Sequence, residues 1–473
     1  MTQTIQIKPI TRIEGHGKIT LVLDDSGSIS DAKFHVTQFR GFEKFCEGRP
    51  FYEMPSLVER ICGICPVSHS IASAKACDSI LGVRVPDPGR KLRRLLNCGT
   101  YIQSHALSFF HLSAPDLVLG FDAAPSERNI LGLIKTYPSL AMDGINLRKI
   151  GQQIVECCAG KRIHPTWVVP GGVNKPLLEK NRDFMISLLP EGYAIIHRTL
   201  DWFKSSLENY REEIRTFANF PTLFAGLVNS EGNLEHVEGE LRFIDSKGAT
   251  IHDGVDPDRY SEYIAEKTED WSYVKSPYFK ALGYPEGIYK SGPAARLNVC
   301  NGFGTAQADQ ELAEFKGLER GPVLSSFYNH YARLIEVLYS LELMRHLLND
   351  PEILSPHVRS IARNNEFEGV GVVEAPRGLL IHHYRVDEEG LITWANMIVA
   401  TGNNNLAMNR GILQVARRFI KSGEITEDAL NRIEALIRAF DPCLSCSTHT
   451  IGAPNLRVDL VSPDGTLLNS VLS

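Results

Sequence analysis

Two cysteine pairs carry the most readable chemistry in this chain: Cys62-Gly63-Ile64-Cys65 and Cys443-Leu444-Ser445-Cys446. Each spacing sets two sulfurs about one helical turn apart, so both can face a single ion. The pairs are separated by 443 − 65 = 378 positions. A shared four-sulfur site therefore requires the fold to bring the two ends of the chain together. By spacing alone, four cysteines suit zinc first. Structural zinc, however, organises short modules that cannot fold without it, and a chain of 473 residues buries a large core of its own. A metal at a seam between distant segments points toward function. Pro442 ends any helix that precedes the second pair, and Pro66 suits the first turn of a helix that follows the first. His69 lies four residues after Cys65 on the same helical face, where it could hydrogen-bond a thiolate and tune the ion or simply be a satisfied packing residue.

The elements that must position these groups read as follows. Alternation around a DDSGS turn (Ile19, Leu21 and Leu23, then Phe34, Val36 and Phe39) predicts an N-terminal β-hairpin. Helical periodicity begins near Cys65 and returns over 90–112, 182–218, 306–350 and 411–440. Residues 225–300 are rich in glycine, aspartate and turn signals and read as a smaller β-containing part. The last stretch alternates around an SPDG turn and reads as a second hairpin. The expected class is α+β, mainly α. The expected segments are an N-terminal hairpin region (1–55), a helical core with the first pair (56–224), a β-containing subdomain (225–305), a C-terminal helical region with the second pair (306–449) and an extension (450–473).

Composition narrows the function. With 43% hydrophobic and 22% charged residues the chain is an ordinary globular one, not a disordered or collagen-like one. A net charge of −6 argues against nucleic acid as the main partner. No run of about 18 apolar residues is present, so no membrane span is expected. The N-terminus shows no secretory leader, which points to a cytoplasmic protein whose thiols stay reduced. There is no GxGxxG after a strand and no Walker A sequence; Gly302-Phe303-Gly304 is a lone fragment. Cys77, Cys98, Cys157, Cys158 and Cys300 lack iron–sulfur spacing and read mostly as core. NAD, flavin and iron–sulfur clusters are therefore not expected on this chain itself.

Arg40-Gly41-Phe42-Glu43, followed after fifteen residues by Glu59-Arg60-Ile61-Cys62-Gly63-Ile64-Cys65, resembles the N-terminal signature of nickel–iron hydrogenase large subunits. Phe440-Asp441-Pro442-Cys443-Leu444-Ser445-Cys446-Ser447-Thr448-His449 is similar to their C-terminal signature. Arg12-Ile13-Glu14-Gly15-His16 and Glu374-Ala375-Pro376-Arg377-Gly378 extend the resemblance over essentially the whole chain, and the ending looks most like the cytosolic, bidirectional NAD(P)-linked type of cyanobacteria and related bacteria.

That resemblance implies the large-subunit fold and reversible heterolytic cleavage of H2 at a nickel–iron centre. Cys62 and Cys443 would be terminal nickel ligands, Cys65 and Cys446 would bridge nickel and iron, and the iron would carry CO and cyanide. Glu14 would move the proton, Arg377 would present its donors to the open position, and Asp116 would position Arg377. Pro376 and Thr401 match the cyanide pocket, although Ala400-Thr401-Gly402 replaces the commoner Pro-Thr/Ser-Thr-Trp run. Glu43 and His449 match ligands of a separate Mg or Fe site. The implied partners are an iron–sulfur small subunit, flavin-containing diaphorase subunits, nickel-insertion factors and a maturation endopeptidase. That endopeptidase would cut between His449 and Thr450 and remove the 24 residues Thr450–Ser473. Two other readings stand beside the enzyme. One is a hydrogen-sensing homologue; the other is a quinone-site subunit of the respiratory complex I type, against which four intact cysteines speak.

Overall fold

A computed structural model describes residues 4–7, 11–24, 28–420, 426–448, 457–461 and 467–472. His449 and Thr450 lie outside the described residues.

The N-terminal hairpin forms as Gly17–Leu23 against Ile29–Val36, with Ile19 opposite Phe34 and Leu21 opposite Ala32. Alternate residues Ile19, Leu21, Leu23, Phe34 and Val36 are buried, which is what the period-two pattern requires. The hairpin is part of a larger sheet. Thr4–Ile7 pairs with Gly17–Leu23, and the C-terminal hairpin, Arg457–Val461 with Leu467–Leu472, joins the free side of Thr4–Ile7. The result is a five-stranded antiparallel sheet built from both ends of the chain.

The helices Pro66–Leu81, Asp87–Ala106, Pro138–Ala159, Glu179–Ser206 and Asn329–Asn349 make the body. Asn329–Asn349 is buried on nearly every side along its first four turns, polar groups included. A helix without a polar face is a central one, and its buried Arg333 and Glu336 must then find charged partners in the interior. One continuous apolar core draws residues from Ile19 to Cys446. The described parts of the four segments up to residue 449 therefore share this core.

The region 306–449 is not uniformly helical, which corrects the expectation. Glu368–Ala375, Gly378–Val386 and Ile392–Ile398 form a three-stranded antiparallel sheet. Its first two strands are buried on both faces, so their apolar residues run continuously and lack the alternation that betrays a strand. Helix Pro66–Leu81 lies on one face, and strands of the 223–289 region pack on the other through a second apolar cluster. The first strand approaches the helix so closely that a Cβ on Gly371 would stand 1.9 Å from the Ala72 carbonyl oxygen. Gly371→Ala is therefore expected to lower unfolding free energy by about 2–3 kcal/mol, the scale of core overpacking; chemical denaturation of the full chain against wild type checks it.

Candidate metal centre

Cys62 ends a short 3₁₀ turn, Glu59–Ile61, in an extended conformation, and Cys65 caps the helix that begins at Pro66. The second pair follows helix Glu427–Phe440. Asp441 closes that helix in the left-handed region (φ 54°, ψ 53°), and Leu444–Thr448 forms a further helical turn. The N-terminal segment then holds the second pair. Glu14 and Cys443 form a parallel backbone bridge, Leu444 N–H donates to the Glu14 carbonyl (3.0 Å), and Ser445 donates its N–H (3.0 Å) and its hydroxyl to the Glu14 carboxylate. Gly15 has φ +84°, and a Cβ there would meet Leu444 Cβ at 2.7 Å and Ser445 N at 2.8 Å. Only glycine lets the two ends of the chain approach this closely.

The four sulfurs meet. Cys62 Sγ is 3.3 Å from Cys443 Sγ, Cys65 Sγ is 3.4 Å from Cys446 Sγ, and all four lie within 4.8 Å of one another, buried. Ile64 N–H donates to Cys62 Sγ at 3.2 Å. Hydrogen bonds from Cys443, Cys446 and Cys62, with His69 adding, hold the Cys65 thiol well below its usual range, while burial pushes Cys443 and Cys446 up. A buried set of soft donors at this spacing fits a soft transition-metal centre. Among the described residues no other group of three such side chains converges in this way.

Arg377 occupies the tip of the hairpin formed by the first two strands of the three-stranded sheet, whose two-residue turn is Pro376-Arg377 between paired Ala375 and Gly378. The guanidinium is buried. Its Nε donates to the Asp441 carbonyl (2.7 Å), Nη2 to the Asp441 carboxylate (3.2 Å) and Nη1 to Ser104 Oγ (3.2 Å). Burial disfavours its charge, but Asp441 and the thiols Cys443, Cys65 and Cys62 more than offset this and hold the group charged. Asp441 is thus the acid that positions Arg377.

Asp116 is not that acid, a correction to the expected role. It accepts from Arg12 Nη1 (2.9 Å) and from Arg438 Nη1 (2.8 Å), which hold its carboxyl below the usual range despite burial. Several arginines converge here, and spacing along the chain cannot tell which acid takes which. Asp116 instead ties Arg12, two residues before Glu14, to the helix that leads to the second pair.

The remaining expected residues sit as follows. His69 Nδ1 lies 3.1 Å from His382 Nε2, and His382 Nδ1 lies 2.5 Å from the Tyr384 hydroxyl, which donates to Ser73. Thr401 Oγ1 accepts from Cys443 N–H (2.9 Å), which fixes the backbone of the second pair. Pro376 offers its carbonyl to Arg296 (3.1 Å). Glu43 accepts from Arg40 Nε (2.9 Å) and Met397 N–H (2.9 Å), and Arg40 outweighs burial to lower its carboxyl. Glu59, three residues before Cys62, received no role from the sequence. It is fully buried and accepts the Thr166 N–H at 3.0 and 3.2 Å, and its place in ERICGIC was the only signal for it.

The comparisons agree with this geometry. Residues 40–129 and 242–449 match the profile of a family described as nickel-dependent hydrogenase, and residues 4–39 match one described as HoxL-like. The chain is similar to the beta chain of the NAD-reducing hydrogenase HoxS of Cupriavidus necator (40% identity, 99% of each chain covered). It is also similar to a chain of the vhu F420-non-reducing hydrogenase of Methanocaldococcus jannaschii (43%, covering 88% of this chain and 99% of that one). Among solved structures it resembles an NAD+-reducing [NiFe]-hydrogenase in the H2-reduced state (TM-score 0.91, 43% identity, 94% of this chain and 99% of that one). It also resembles the Ni-Fe-Se hydrogenase of D. vulgaris Hildenborough (TM-score 0.78, 26%, 95% and 100%).

Burial pushes the Glu59 carboxyl up from 4.5 to about 7. A carboxyl raised on folding stabilises the folded chain below its unfolded pKa, and that stability is lost as pH rises through the folded one. Glu59→Gln is expected to remove a fall in stability on the order of 2 kcal/mol between pH 4.5 and pH 7; denaturation of the full apo chain across that window reads it.

Proposed function

The chain belongs to the nickel-dependent hydrogenases as their large, metal-binding component, and from that membership we propose that it is the H2-cleaving subunit of a NAD(P)-linked enzyme. The observation that carries the reading is the convergence of Cys62, Cys65, Cys443 and Cys446 opposite the buried charge of Arg377. Cys62 and Cys443 would be terminal ligands of nickel, and Cys65 and Cys446 would bridge it to an iron carrying CO and cyanide. Bound there, the centre would supply the soft-metal chemistry that splits H2 into protons and electrons.

This chain's own residues do the rest. Glu14, held by Ser445 and bridged to the Cys443 backbone, takes the proton from the terminal thiol and passes it on. Arg377 keeps its charge and offers a planar fork of donors toward the sulfurs and the cyanide, with Asp441 fixing the angle. Thr401 and the Pro376 backbone shape the surrounding pocket. His69 donates toward the thiolate side. Glu43 and His449 are proposed for Mg or Fe. Because the Glu43 carboxylate is already paired with Arg40, the described residues do not by themselves make that site, and no step passes through it.

Electrons are proposed to leave through a small iron–sulfur subunit, then through flavin-containing diaphorase subunits to NAD(P), with the whole assembly cytoplasmic. Support comes from the NAD-reducing names of two of the similar proteins and from the remaining cysteines. Cys46, Cys77, Cys98, Cys158 and Cys300 are buried, and burial pushes their thiols up. No helix among the described residues is long and apolar enough to cross a membrane. Nickel-insertion factors and an endopeptidase acting between His449 and Thr450 complete the reading.

Purified enzyme should contain one nickel per copy of this chain, together with iron, and show infrared bands of CO and cyanide; an active preparation without nickel would overturn the reading. Glu14→Gln should keep the metals and lower turnover by about a hundredfold or more, since the amide cannot take up and release a proton; a wild-type rate of hydrogen–deuterium exchange in this variant would remove Glu14 from the proton path. Mass spectrometry of the active chain should find its end at His449, and a nickel-loaded, active chain ending at Ser473 would refute the processing step.

A further inference from the structure

Arg296 is completely buried, and each of its five N–H groups has an acceptor. Nε donates to Glu336 Oε1 (2.5 Å), and Nη2 donates to Glu336 Oε2 (2.8 Å) and to the Pro376 carbonyl (3.1 Å). Nη1 donates to Glu374 Oε2 (2.7 Å) and to the Ala375 carbonyl (2.9 Å). The guanidinium lies 5.4 Å from the centre of the Tyr101 ring, whose hydroxyl donates to the Glu374 carbonyl (3.0 Å). Glu336 is fixed in turn by His105 Nε2 (2.8 Å).

Two of these five bonds do something that charge neutralisation alone does not require. They hold the carbonyls of Ala375 and Pro376, the two residues that precede Arg377 at the hairpin tip. The next carbonyl is confined from the other side. Gly292, which leads into the helix carrying Arg296, comes so close that a Cβ on it would stand 2.8 Å from the Arg377 oxygen. The two-residue turn is a short rigid unit paired at Ala375 and Gly378, so bonds that hold its carbonyls from outside set where the whole tip, and with it the Arg377 side chain, stands.

We propose that Arg296 is a positioning residue of the reaction centre: by gripping the Ala375 and Pro376 carbonyls from a base of two carboxylates, it sets where the Arg377 guanidinium stands relative to the four sulfurs. The proposal rests on the hydrogenase reading, and it adds to that reading a residue that touches neither metal ligand nor substrate.

Arg296→Lys tests it. Lysine keeps the charge but has three donors and no planar fork, so it cannot grip both carboxylates and both carbonyls at once. In the metal-loaded holoenzyme the variant is expected to retain nickel and iron, to shift the cyanide infrared bands, and to lose turnover by about tenfold to a hundredfold with little change in KM for H2, the scale of a small misplacement. Glu336→Gln, which keeps the shape but weakens the base of the grip, should shift the same bands in the same sense, and it decides the matter if the lysine variant does not fold. Unchanged bands and kinetics would overturn the proposal. Loss of metals in both variants would also overturn it, because Arg296 would then be a folding element. Wild-type enzyme without CO and cyanide bands counts against the hydrogenase reading itself and is read separately.

Discussion

Four sulfurs buried within 4.8 Å of one another cannot all carry charge unless bound cations or the protein supply opposite charge nearby. Two thiolates about 3.4 Å apart repel by about 5 kcal/mol even at an effective dielectric near 20. The chain answers with a succession of alternating buried charges that runs inward from the sulfurs. Arg377 faces them, and Asp441 balances Arg377. Arg333 lies close enough to feel Asp441 and Glu336, and burial still lowers it to about 10. Glu336 then balances Arg296, which also holds Glu374. Breaking a pair in such a series leaves an uncompensated charge in the interior, which costs far more than the pair contributes. The succession therefore fixes positions more than it adds stability.

The second constraint is closure. Joining positions 65 and 443 closes a loop of 378 residues, whose entropy costs about 5 kcal/mol on the logarithmic scale. The offset is visible along the N-terminal segment. Thr11 donates its N–H (3.1 Å) and its hydroxyl (2.6 Å) to Glu434, Arg12 pairs with Asp116, and Glu14 and Gly15 dock on Leu444 and Ser445. Arg438 draws the seam tighter by donating to Asp116 and to the Thr11 carbonyl (3.0 Å). The second cysteine pair is thus held by residues from the opposite end of the chain. The five-stranded sheet repeats the logic, since strands from both ends share it.

How much of this could be read beforehand depended on whether a feature repeats in sequence or is decided by contact in space. The cysteine pairs, the two hairpins and most of the long helices were legible, because spacing and periodicity carry them; helix Pro138–Ala159 was not, and the RIEG and EAPRG segments stood out only through the family resemblance. The three-stranded sheet around Arg377 was not, because a strand buried on both faces, such as Glu368–Ala375, shows no alternation. The partner of Arg377 was misassigned for a different reason. Asp116 and Asp441 are both buried acids among arginines, and only the turn of the chain at Asp441, in the left-handed region, aims that carboxylate at the hairpin tip. Arg296 lies in a short helix with no motif read from it, so nothing in the sequence singled it out.

The choice of arginine along this series follows from what burial does to a cation. Lys290 is the contrasting case. It is buried and, among the described residues, donates to the carbonyls of Ala218 (2.6 Å) and Leu324 (2.7 Å), and desolvation lowers it to about 7. A lysine at that pKa is neutral half the time near neutral pH and cannot serve as fixed countercharge. Arg296 and Arg377 suffer the same desolvation, yet their intrinsic basicity and paired carboxylates keep them charged. Because the guanidinium spreads its charge over several donors, it can satisfy a carboxylate and still direct a bond to a backbone carbonyl. Both arginines do this, Arg377 at Asp441 and Arg296 at Ala375 and Pro376. The charge that steadies the thiolates and the geometry that aims it thus come from the same side chains, and a lysine could supply neither.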